Sequence, residues 1–162
     1  MKIITHLNDA SLTTLLIQCI IAYEWISGGW SKLASRSFAQ SMEKTLFHFE
    51  QGNPHGWYIR SILSFAKQHA ELFGQLVQWG EILTGIGLLV GLLLYVFSKN
   101  PSVREGVALI SILALLGGLL MNLNFYVAAG WTSPSTSGLN VLMFWTEGAL
   151  LLFWVKTYLG QK

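Results

Sequence analysis

The chain has 162 residues, of which 52% are apolar and only 11% are Asp, Glu, Lys or Arg. A soluble domain carries about 25% charged residues, so this chain lacks the charge to clothe a water-facing surface, and a soluble globular fold is excluded. Its net charge of +2 is small and dispersed, with no Lys/Arg cluster interleaved with aromatics, which excludes a nucleic-acid partner.

Residues 1–11 form a short polar head with Lys2 and Asp9. The first apolar run, 12–30, continues past Glu24 and Trp25 without a small-x-small exit, so it reads as an uncleaved signal anchor. The single cysteine, Cys19, lies inside it, which rules out a disulfide framework or a Cys-x-x-Cys redox centre. Gly28-Gly29-Trp30 ends the run and a polar segment, 31–72, follows. Within it Phe38, Met42, Leu46 and Phe49 recur on one face of an amphipathic helix. Gly52-Asn53-Pro54 breaks that helix. A second amphipathic stretch starts at Trp57-Tyr58 and is expected to run, through Ile62 and Phe65, straight into the second apolar run at 73–97. Both stretches are expected to lie on the membrane surface or over the bundle mouth. A polar turn at 98–106 precedes the third run, 107–130, and an uncharged connection at 131–138 precedes the fourth, 139–159. The four runs hold 89 residues and only four charges, Glu24, Glu81, Glu147 and Lys156. Each run is long enough to cross a bilayer. The expected fold is therefore all-α: a single integral membrane domain, a four-helix bundle, with amphipathic helices between spans 1 and 2.

Four spans put both termini and the 98–106 turn on one side, and 31–72 and 131–138 on the other. Each side carries five Lys/Arg, but the terminal side packs them into far fewer residues, which favours termini on the cytoplasmic side of the cell membrane. That topology gathers Glu24, Glu81, Asn122, Asn124, Tyr126, Asn140 and Glu147 in the outer half of the bundle, with every tryptophan except Trp154. The inner half reads as almost wholly aliphatic. At ~1.5 Å per residue, Glu81 and Glu147 sit roughly 10–13 Å from their span ends.

An ionisable group inside a transmembrane helix costs about 2.5–3.5 kcal/mol on insertion scales, so a cluster of three carboxylates calls for a role. Buried carboxyls can exchange protons with a reacting ligand, as the reduction of a quinone requires. The alternative is structural: the carboxylates hydrogen-bond neighbouring helices or pair with Lys32. Trp25, Trp30, Trp79, Trp131 and Trp145 suit a flat pocket for a ring, although tryptophan also gathers at any bilayer interface. In the third run Asn122 and Tyr126 share a face, and Asn124 is expected opposite them with Gly117 and Gly118. Gly87 and Gly91 form a small-xxx-small pair suited to helix packing. All four histidines lie outside the runs, so no transmembrane haem is expected, and the spacing of His48, His55 and His69 matches no metal-ligand pattern.

Three stretches, AYEWISGGWSKL (22–33), QWGEILTGIGLLVGLL (78–93) and LNFYVAAGW (123–131) with Pro134-Ser135 after it, resemble the DoxD-like branch of the DoxX family. Asn53-Pro54 and Trp57-Tyr58 extend the resemblance over nearly the whole chain. It implies a four-helix membrane bundle that is the membrane subunit of a thiosulfate:quinone oxidoreductase. Such a subunit takes part in oxidising thiosulfate to tetrathionate, delivers electrons to membrane quinone, and works with a separate DoxA-like subunit. The family-like positions are Trp30 and Lys32, Trp79 and Glu81, and Asn124, Tyr126 and Trp131; Glu147 has no counterpart in the pattern and rests on burial. Combined with the residues themselves, the resemblance gives Glu81 and Glu24 as proton-exchanging groups and Lys32, with Arg36, as the attraction for an anion. It places a quinone head among Trp25, Trp79 and Tyr126, with Trp30, Trp131, Asn122, Asn124 and Glu147 around it. Neither haem nor metal is implied; lipid, quinone and a redox subunit are the expected partners, and the homo-oligomeric state stays open. Two alternatives remain: a non-catalytic membrane anchor or assembly subunit, and, with less in its favour, a small transporter.

Overall fold

The computed structural model describes residues 9–160, with side chains from residue 12; the expectations that rest on Lys2, His6, Asp9 and Lys162 lie outside the described residues or side chains. All regular structure among the described residues is helical. The order is α1 (Asp9–Ala34), α2 (Phe38–Glu50), α3 (Gly56–Tyr58), a π-helical stretch (Ile59–Leu63), α4 (Ser64–Gln68), α5 (Ala70–Phe97), α6 (Pro101–Ala129), a 3-10 turn (Gly130–Thr132) and α7 (Pro134–Leu159). Three of these, α5, α6 with its 3-10 extension, and α7, are long and apolar enough to cross a membrane. Each turns large aliphatic side chains outward, among them Leu83, Leu120 and Leu142. Such apolar exposure along multi-pass helices suits contact with lipid.

The helices begin earlier than the hydropathy implies. The expected turn at 98–106 shrinks to Ser98–Asn100, because the Asn100 side chain accepts from the Ser102 backbone N–H at 3.0 Å and Pro101 occupies the first helical position. The expected connection at 131–138 is likewise cut short: Ser133 Oγ accepts from the Thr136 N–H at 3.1 Å and Pro134 opens α7. Both are strong helix starts. Hydropathy marks the apolar part of a helix, whereas caps mark where its hydrogen bonding starts. Arg104 is thereby held on the first turns of α6, its guanidinium 4.3 Å from the Tyr95 ring centre.

α1 also outruns its expected end at Trp30 and continues to Ala34, which places Lys32 on its last turn. The chain then reverses through Arg36, whose φ of 55° is left-handed. α2 buries Ala39, Met42 and Leu46 and lies against α5, where Gly74 lets the Ala39 backbone approach closely. Asn53 ties the following loop to the end of α6: its Nδ2 donates to the carbonyls of Val127 and Ala128 at 3.1 and 3.2 Å, while its Oδ1 accepts from the His55 N–H. α4 is held to α2 by the Lys67–Glu50 ion pair at 2.6 Å. The stretch from Trp57 does not run straight into α5 as expected. His69, at φ −131°, interrupts the helix.

Around the long helices, α1 packs on α5, α5 on α6, and α6 on α7. The α1–α5 approach is close because Gly29 and Gly85 each face the other helix's backbone, the small-residue contact favoured between helices in lipid. Gly87 and Gly91 face Ala114 and Ser111 of α6. Below mid-height the core is Leu15, Leu88, Val107, Leu115, Leu150 and Trp154. This half is almost wholly apolar, with one buried amide set into it. Gln18 is fully buried; its Nε2 donates to the Leu88 carbonyl at 2.8 Å and its Oε1 accepts from Trp154 Nε1 at 2.5 Å. A lone glutamine in an apolar run gives no sign of its partners, which lie 70 and 136 positions away.

Candidate functional site

At the end opposite the Ser98–Asn100 turn, here called the outer end, the long helices enclose a cavity of about 390 Å³, with α2, α3 and the π-helical stretch completing its walls. Its lining is mostly apolar: Phe38, Met42, Leu46 and Phe49, the repeating face of α2, meet Phe73, Val77, Phe125 and Met143. Into these walls a few polar groups are set. Lys32 Nζ donates to Glu81 Oε2 at 2.7 Å, and that carboxylate is almost wholly buried while the lysine is about a quarter exposed. Lys32 reaches it because α1 extends to Ala34, and Gly28, one turn earlier, leaves room for the Glu81 carboxylate beside α1. The Lys32 ammonium also stands 5.7 Å from the Phe38 ring centre.

On another wall the Tyr58 hydroxyl donates to Asn124 Oδ1 at 2.9 Å. Burial pushes the Tyr58 phenol up to about 12, so it stays a protonated donor through any ordinary working pH. Asn140 lines the cavity with its Nδ2 bonded to the Thr136 carbonyl at 2.8 Å.

Behind the lining lies Glu147, with no exposed surface. Its Oε1 accepts from Trp25 Nε1 at 2.5 Å and its Oε2 from Asn122 Nδ2 at 2.8 Å. Both donors also line the cavity. Gly118, one turn before Asn122, leaves the space that the carboxylate occupies. Gly118 therefore shares the face of Asn122 rather than that of Asn124, which corrects the sequence expectation; four residues apart is nearly one full turn.

The fold brings Lys32, Glu81, Glu24, Trp25, Asn122 and Asn124 to the cavity and Glu147 directly behind it. Glu24 is exposed at the rim. Trp30, Trp79, Tyr126 and Trp131 do not line the cavity. Trp30 is 64% and Trp79 46% exposed, facing outward. Tyr126 lines a separate groove of about 170 Å³ with Phe144 and Trp145. Trp131 donates to the Ala128 carbonyl and lies against Gly52. One reason covers the first two: Trp30 and Trp79 each stand two positions from a lining residue, Lys32 and Glu81, which is about 200° around a helix. Tyr126 shares the face of Asn122, and the two line the separate groove together.

Residue-by-residue reasoning missed Tyr58 and Asn53 as structural parts of the site, since their partners lie 66 and about 75 positions away. The apolar repeat of α2 was the available signal for the roof. Chemically the arrangement offers a largely apolar space, one ion pair able to give or accept a proton, a phenol donor and several amides. No family model matches the chain, and no curated protein and no solved structure shows a significant match to it.

Proposed function

We propose that the chain is the quinone-reactive subunit of a membrane oxidoreductase, with α1 as a fourth span beside α5, α6 and α7 and the termini on the cytoplasmic side of the cell membrane. One observation carries the reading: a cavity of about 390 Å³ whose apolar walls hold the Lys32–Glu81 pair. Pockets that bury a small ligand run from about 300 to 1,000 Å³ and combine apolar walls with a few placed polar groups. A quinone head matches this lining, because its carbonyl oxygens accept from Lys32 and Tyr58 while its ring rests on Phe and Met side chains. Reduction to the quinol consumes two electrons and two protons. The electrons come from a partner redox subunit, and Glu81 with Lys32 is the group placed to supply protons.

The thiosulfate part of the family resemblance draws less support. Lys32, proposed to attract the dianion, already spends its charge on Glu81 at 2.7 Å. Below the cavity, Leu88, Leu115 and Trp154 have no exposed surface and fill the bundle, which supports a pocket with a closed floor over a transport path.

The test is photolabelling with an azido-quinone in proteoliposomes, followed by quinone reduction with a chemical or partner reductant. Label on Met42, Phe73 or Met143 is expected. Glu81→Gln is expected to keep the label and slow reduction by at least about tenfold, a loss of roughly 1.4 kcal/mol of barrier lowering. Label confined to the outward tryptophans, or undiminished reduction in Glu81→Gln, overturns the assignment.

A further inference from the structure

The side on which the cavity opens decides what kind of molecule reaches it. The α1–α5, α5–α6 and α6–α7 seams are packed along their lengths, whereas α1 and α7 touch only sparingly. Two buried hydrogen bonds tie α1 to α7, Trp154 to Gln18 and, nearer the outer end, Trp25 to Glu147. Beyond the second bond the space between the two helices belongs to the cavity, with Gly28 and Lys32 on one side and Leu139, Asn140 and Met143 on the other.

Among the lining residues only Glu24, Ile62 and Leu139 are exposed, and two of these three flank this α1–α7 wedge. The surface running away from the wedge is apolar. Ile20, one turn from Glu24 on α1, and Leu142, one turn from Leu139 on α7, are 61% and 65% exposed. α7 itself is long and apolar enough to cross a membrane. The mouth therefore interrupts a surface that suits hydrocarbon, with Glu24 as its one charged rim residue.

Volume adds a second constraint. About 390 Å³ lies near the small end of ligand pockets, enough for a substituted ring and too little for a long hydrocarbon tail as well.

We infer that the cavity is loaded sideways from the bilayer, through the wedge between α1 and α7, by an amphipathic lipid whose ring head reaches the Lys32–Glu81 pair while its tail remains in the wedge against Leu139 and Leu142. The chemistry of the head rests on the quinone reading above; the route rests on the wedge alone.

Two measurements separate the two. In phosphatidylcholine proteoliposomes, binding of a long-tailed ubiquinone is compared with that of its tail-less dimethoxy-methyl-benzoquinone ring. Leu139→Trp fills the mouth from an exposed position, and it is expected to weaken the tailed quinone about tenfold more than the tail-less ring, a difference near 1.4 kcal/mol. Equal effects on both ligands, or none on either, overturn the lateral route. The second measurement needs no quinone. A fluorophore on Leu139→Cys, in a Cys19→Ser background because Cys19 is exposed, is quenched by brominated lipid if the mouth opens into the bilayer. Quenching by aqueous iodide alone overturns the route even where quinone binds. Quenching by brominated lipid in a protein that binds neither quinone upholds the route and rejects the quinone reading.

Discussion

Glu147 carries no exposed surface and has no cation beside it among its hydrogen-bond partners; an indole and a carboxamide N–H take up its two oxygens. Its two bonds hold Trp25 and Asn122, which line the cavity. Glu147→Ala leaves two buried donors unpaired and a void behind them, and the expected cost is about 2–4 kcal/mol in a micellar unfolding titration. Glu147→Gln keeps one acceptor and is expected to lose less than half as much. An equal loss in both variants would show that charge, and not acceptor geometry, is what the site needs. Tyr58 makes a different case. Tyr58→Phe removes the bond to Asn124, worth about 1 kcal/mol. Because burial pushes the phenol up to about 12, the folded state holds its proton above the ordinary Tyr value near 10. The wild type is therefore expected to lose stability relative to Tyr58→Phe only as pH rises above about 10 and on through the raised value, with a constant difference below. A difference that changes between pH 6 and 9 would contradict this assignment.

The roof of the cavity is an element-scale device. α2, α3 and α4 are short, and they keep their position through a small set of contacts: Asn53 on the last carbonyls of α6, Lys67 on Glu50, and Ala39 on Gly74. Asn53 answers two needs together, giving partners to carbonyls at a helix end and holding the turn through His55. Asn53→Ala is expected to cost about 1–3 kcal/mol and to raise amide exchange through 38–68, with exchange in α5 and α7 unchanged. Uniformly faster exchange along the chain would mean that roof and bundle unfold as one unit. The apolar repeat of α2 was legible in the sequence because it is local, with period near 3.6. The cap at Asn100-Pro101 was legible in principle as well, but hydropathy drew the boundary at the apolar residues and missed it.

At the scale of the whole molecule, the three helices able to cross a membrane fix an alternation of sides: the Ser98–Asn100 turn lies at one end, and the outer segment with the α6–α7 connection at the other. With termini inside, a cysteine at Lys99 is expected to react with an impermeant maleimide only from the cytoplasmic face, and one at Gly138 only from the opposite face, in a Cys19→Ser background. Labelling of both from one face would overturn the orientation. The two halves of the molecule also differ in polarity for a physical reason. The inner half can bury Gln18 because both ends of its amide find partners. The other half holds Lys32 and Glu81 as an ion pair and Glu147 bonded to an indole and a carboxamide, since a buried polar or charged group is costly unless its hydrogen bonds are made.

The sequence by itself determined the multi-pass helical class, the long apolar helices and the gathering of the polar residues towards one end of them, because composition and hydropathy are properties of neighbouring positions. It singled out Glu81, Glu147, Trp25, Asn122 and Asn124 for the same reason, as polar or aromatic exceptions in apolar surroundings, and Lys32 as the cation next to the end of the first run. Tertiary structure alone decided which of them meet. Lys32 and Glu81 are 49 residues apart, and Trp25 and Glu147 are 122 apart. No local pattern specifies such partners, which depend on how far α1 extends, how closely glycines let helices approach, and the 200° that turned Trp30 and Trp79 away from the cavity.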